Sequence, residues 1–138
     1  MVAANVSSDV RIIVERIVTK YKVSLREDGI LCIHVLNNRQ WVPEDFKLLF
    51  QAIGEMVEFK RVPVLLSCEK FTFPSAEASA YWGNEETACP YVSREAQVLD
   101  SLPLKILGNF YMNFRRPKRP TRYFDNKEDA INWLHNSK

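Results

Sequence analysis

The sequence predicts a single α/β domain, a mixed and largely parallel sheet with helices packed on it. Three observations carry that expectation. The stretch VSLREDGILCIHV alternates apolar and polar residues on both sides of a turn, which is the pattern of a hairpin. A short apolar run at residues 62–66 lies between two segments of helical periodicity, as a strand buried on both faces does. A final alternating segment, TRYF, leads into an amphipathic one with a helix-start signal. At 138 residues, 46% hydrophobic and 26% charged, the chain is long enough for one sizeable core.

The first nine residues are small and polar and are expected to form a disordered tail, with one domain over residues 10–138. Residues 10–26, rich in Val and Ile, read as one extended segment with a bend near Thr19 and Lys20. Glu27, Asp28 and Gly29 form a turn, because Asp tolerates unusual backbone angles and Gly supplies positive φ. Residues 30–36 are the second strand. Pro43 suits the first turn of a helix, and Glu44 and Asp45 complement its positive end. Phe46, Leu49, Phe50, Ile53 and Val57 then fall on one face.

After the buried strand at 62–66, residues 74–82 read as a short helix, with a further helical turn near 84–87. Residues 96–99 are poor strand formers placed where the alternation needs a strand. Ser101 and Pro103 open a third helix whose main face is Leu107, Phe110, Tyr111 and Phe114. Residues 121–124 are the last strand, and Asp125 with Glu128 resembles a capping box before a closing helix. The order is β-β-α-β-α-β-α-β-α.

Charge is unevenly placed. Arg115, Arg116, Lys118, Arg119 and Arg122 lie within eight residues without a carboxylate, leaving 14 basic against 17 acidic residues elsewhere. Pro117 and Pro120 stop the preceding helix and lead into the last strand, so the run reads first as a solvated loop. It is also a candidate patch for an anionic partner: an acidic protein face, an anionic ligand or a membrane surface. A net charge of +2 is too close to neutral to indicate nucleic acid. The wide apolar arc of the helix before the run is a candidate homodimer interface.

Catalytic signatures are absent. Four glycines, far apart, make no phosphate loop, and there is no GxSxG or HExxH. Cys32, Cys68 and Cys89 form no CxxC pair, which points away from disulfides and zinc and toward reduced thiols in the cytoplasm. His34 and His135 lack metal-ligand spacing, so no metal or cofactor is expected. Cys68, Tyr81 and Trp82 are candidate pocket residues. Cys68 follows the third strand at the carboxyl end, where open α/β sheets bind ligands, and the two aromatics supply an apolar wall.

The element order, with VSLREDGILCIHV at the front and LGNFYMNFRRPKRPTRYFDNKEDAINWL at the back, resembles the STAS/SpoIIAA-like superfamily. The resemblance is to its small stand-alone bacterial members of unknown function, also described as STAS/SEC14-like. It spans roughly residues 20–136 and implies a single-domain SpoIIAA/STAS-like mixed sheet with helices packed on it. In the anti-sigma-factor antagonists of that superfamily, a serine at the start of the helix after the third strand is phosphorylated, which switches binding to a partner kinase. Ser75 in FTFPSAEAS falls at that place, although Pro74 precedes it and Ala76 and Glu77 follow, unlike the antagonists' flanking residues. From the residues alone, Ser75 is a helix cap. The combined expectation is a non-enzymatic regulatory module that binds another protein. The alternative is a small-ligand or lipid carrier of SEC14-like type.

Overall fold

Residues 10–26 are two strands rather than one bent strand. β1 (Ile12–Val18) and β2 (Tyr21–Arg26) pair antiparallel. The tight turn between them holds Thr19 at φ 52°. A β-branched residue enters that left-handed region only under tertiary constraint, so the reversal is hidden in a sequence of strand formers. The computed structural model describes residues 10–37, 40–69, 75–84, 87–98 and 119–136. The expected tail at 1–9 and the expected helix at 101–114 lie outside those residues.

β3 (Leu31–Val35) continues antiparallel from β2 through the predicted turn. There Gly29 adopts φ 90°, and the Ile30 N–H donates to Asp28 Oδ1 at 3.3 Å. Then follow α1 (Pro43–Met56), β4 (Val62–Cys68), α2 (Ala76–Gly83), β5 (Val92–Val98), β6 (Thr121–Phe124) and α3 (Lys127–His135). The six strands lie side by side in chain order, with β3 to β6 mutually parallel. Successive crossovers step the same way along the sheet, and a uniform hand then lays α1 and α2 on the same face.

That face holds the larger core. Val23, Leu31, Ile33 and Val64 of the sheet meet Phe46, Leu49 and Ile53 of α1 and Ala78 and Trp82 of α2. Leu49 and Ile53 are fully buried. Burial of each such side chain contributes about 1.5–3 kcal/mol. α1 starts as its sequence implies: Pro43 occupies the first turn, and the Val42 N–H donates to the Asp45 carboxylate at 3.1 Å. On the opposite face, Ala130, Ile131 and Leu134 of α3 cover Ile30, Leu65 and Ala96. The cap of α3 sits one residue later than the capping-box reading. Asn126 is the N-cap, its side chain accepting from the Asp129 N–H at 2.8 Å.

β5 begins at Val92, four residues before the sequence reading. Arg94, Glu95 and Gln97 disguise it, because their polar groups are matched by tertiary partners: the Arg94 guanidinium lies 4.3 Å from the Trp133 ring centre. A register shift between Val62 and Pro63 skips Ser93, so Val92 and Glu95 share a face although three positions apart. Among the described residues, no helix is long and apolar enough to cross a membrane.

Candidate functional site

The carboxyl ends of β3, β4 and β5 open on one edge of the sheet, where the backbone leaves for the helices. Ser75 lies in the crossover from β4 to β5. It is the N-cap of α2, exposed, with its Oγ accepting the Ala78 N–H at 3.0 Å. Its extended backbone, φ −66° and ψ 164°, aims the hydroxyl at the free amides of the first turn. The geometry makes Ser75 a cap and also leaves it accessible to a modifying enzyme.

Two of the candidate pocket residues, Tyr81 and Trp82, pack around Phe46. Tyr81 is half-buried, its ring 5.7 Å from Phe46 and 5.5 Å from Trp41. Trp82 is buried 5.5 Å from Phe46, and Tyr21 stacks on the same ring at 5.9 Å. Cys68, half-buried at the end of β4, lies in the same cross-strand row as Tyr21, with Val35 between them. Burial pushes the Tyr21 phenol well above its ordinary range, and the nearby Asp45 and Cys68 add to the shift. Among the described residues, Trp41 Nε1 is buried with no hydrogen-bond partner, an uncommon state for an indole N–H.

Next to the aromatics lies a buried charge pair that crosses the fold. Arg119 donates through Nε at 3.0 Å and Nη2 at 2.9 Å to Oε1 of Glu95. The two side chains are 8% and 1% exposed. Trp82 Nε1 donates to the same carboxylate at 2.8 Å, and Gln97 Nε2 donates to it as well. Arg119 Nη2 also donates to the Trp82 carbonyl at 3.0 Å, with the guanidinium 5.2 Å from the Trp82 ring centre. Every acceptor of Glu95 therefore faces a donor, the condition for burying a carboxylate.

This arrangement divides the basic run. Arg119 is committed to Glu95 and is not part of an exposed basic surface, which corrects its assignment to the anionic-partner patch. Arg122 is exposed on β6, 5.3 Å from the Phe124 ring centre. Arg115, Arg116 and Lys118 lie outside the described residues. Trp82 is likewise a core residue held by its N–H rather than an open pocket wall, whereas Tyr81 and Cys68 retain some exposure. Sequence reasoning missed Glu95 and Trp41. No local signal marked Glu95, because its partner stands 24 positions away.

The family described as a domain of unknown function (DUF7793) matches residues 23–138. The chain belongs to that family. No curated protein matches the chain. Among solved structures, it is similar to a protein of unknown function from Arthrobacter sp. FB24, at 24% identity. That similarity covers 83% of this chain and 99% of the other, with a TM-score of 0.30. The described part of this family member is a six-stranded mixed sheet with three helices packed on it.

Proposed function

We propose that this DUF7793 domain is a non-enzymatic binding and regulatory module of the STAS type, switched at Ser75 and recognising a protein partner at the α2 end of the sheet. One observation carries the reading. Ser75 is an exposed hydroxyl at the N-cap of the helix that follows β4. A phosphate there would meet free backbone amides and the positive end of a helix dipole, and would add about −1.5 to −2 charge to the surface. The modification would change what the edge attracts without disturbing the core. Arg122, exposed on β6, would supply an anion-facing part of the surface.

The test is intact-mass and phosphopeptide analysis of the protein isolated from its native host, joined to partner capture with Ser75→Ala and Ser75→Asp. The reading expects phosphate on Ser75 and one partner whose capture differs between the two variants. Unmodified Ser75 in every growth condition, with identical capture by both variants, removes it. Ser75→Asp keeps an N-cap acceptor, so a capture difference is not a folding artefact.

A second reading, a small-ligand carrier, is favoured by the indole N–H of Trp41 within the aromatic cluster, which has no hydrogen-bond partner among the described residues. A ligand with an acceptor oxygen and an apolar body would satisfy that donor. Native mass spectrometry of the protein from its host, before and after Trp41→Phe, checks it: a retained small molecule should be lost with the indole.

A further inference from the structure

On the face opposite the aromatic cluster, His34 of β3 stands between two oxygen-bearing side chains. Its Nδ1 is 2.7 Å from Ser67 Oγ, and its Nε2 is 2.7 Å from Glu69 Oε2. The sheet builds this arrangement. His34 and Ser67 are register partners in the parallel pair β3 and β4. Glu69, two residues after Ser67, returns to the same face, and its N–H is tied to the Val35 carbonyl at 2.8 Å.

The bonding partners assign the tautomer. A carboxylate only accepts, so Nε2 carries the proton toward Glu69, and Nδ1 offers its lone pair to the Ser67 O–H. Ser67 and His34 are half-buried and Glu69 is exposed. Hydroxyl, imidazole and carboxylate in series form the relay that activates a serine. Nothing in the partner-switch reading uses it.

We propose that Ser67 is a preset acceptor for a covalent acyl group from a small activated acyl donor, with His34 as its base and Glu69 as the positioning residue. Ser67 Oγ attacks the acyl carbon and its proton passes to His34 Nδ1. The bond from the acyl carbon to the leaving group breaks, and the leaving group takes the proton from His34. The products are the Ser67 ester and the protonated leaving group, with no oxidant or further reactant. The reaction is a stoichiometric modification, compatible with a module that does not turn over substrate.

The full chain is incubated with p-nitrophenyl acetate, and acyl sites are mapped by peptide mass while p-nitrophenolate release is followed. The proposal expects one acetyl group on Ser67, forming far faster than on Ser75, an exposed serine without a histidine partner. Loss of a general base costs about 100-fold or more in rate, so His34→Asn should abolish selective acylation. Glu69→Gln should slow it at least about tenfold, and Glu69→Asp should restore part of that rate. Because Glu69 is exposed, these two variants leave the fold intact even if His34→Asn does not. Acetylation confined to lysines, Ser67 reacting no faster than Ser75, or a rate indifferent to Glu69→Gln would each overturn the proposal. Acylation is read at Ser67 and the partner switch at Ser75, so the failure of one does not decide the other.

Discussion

Glu95 and Arg119 form a buried ion pair at 2.9 Å that ties the middle of β5 to the segment entering β6. The Glu95 N–H donates to the Pro120 carbonyl at 2.8 Å, so backbone and side chain hold the same junction. Removing one partner leaves the other charge buried and uncompensated. Arg119→Ala and Glu95→Gln should each lower stability by about 3–5 kcal/mol, measured by urea denaturation. The double variant should lose much less than the sum. Arg122→Ala, on the exposed side of β6, should stay within about 0.5 kcal/mol. Equal losses at Arg119 and Arg122 would contradict the division of the basic run.

Asp28 gives the stability an acid limb. Burial pushes its carboxyl up, but the two bonds from Arg26, that residue's charge, the Ile30 N–H and His135 together hold it below its ordinary value. A carboxyl depressed in the folded state stabilises fully above its unfolded pKa, about 4, and the contribution is lost as pH falls through the lower folded value. Denaturation midpoints measured from pH 6 downward should therefore fall below about pH 4. Arg26→Met should lower the plateau and flatten that slope.

Cys89 should resist thiol reagents. Burial pushes its thiol up to about 11 against the opposing influence of the Tyr91 backbone and Arg119. Below that pH the thiol stays protonated, and the thiolate is the reactive form. Labelling near neutral pH, read by peptide mass, should spare Cys89 until the protein is unfolded and should reach the half-buried Cys68 first. Early labelling of Cys89 would mean that the α2–β5 junction opens readily.

Gly54 tests close packing within α1. A Cβ there would lie 2.9 Å from Tyr91 Cε2 and 3.1 Å from the Phe59 ring. Alanine is favoured over glycine in a helix by about 1 kcal/mol. Overpacking costs about 1–3 kcal/mol, so Gly54→Ala should give a net loss in thermal or urea melts. Phe59→Ala in that background should recover part of it, because Phe59 is 67% exposed and contributes little burial of its own.

Elements with local causes were readable along the chain. Pro43 and Asp45 start α1, Gly29 makes the β2–β3 turn, and the i, i+3, i+4 spacing of Phe46, Leu49 and Phe50 marks the face that α1 buries. The mixed α/β class followed from the alternation of strand and helix signals. Where two local signals competed, the reading slipped. Thr19 hid a turn inside a strand-like run, and Asn126 rather than Asp125 capped α3.

The α/β class, most of its elements and the place of Ser75 at a helix start are legible along the chain, because caps, turns and periodicity act over a few residues. It took the packed sheet to make Arg119 an internal partner of Glu95, to bury the Trp41 N–H among aromatics with no acceptor among the described residues, and to set His34 between Ser67 and Glu69. These pairings depend on strand order and register, which bring together residues 24 and 33 positions apart. The charge or polarity of a residue is written in the chain, but its partner is chosen by the sheet.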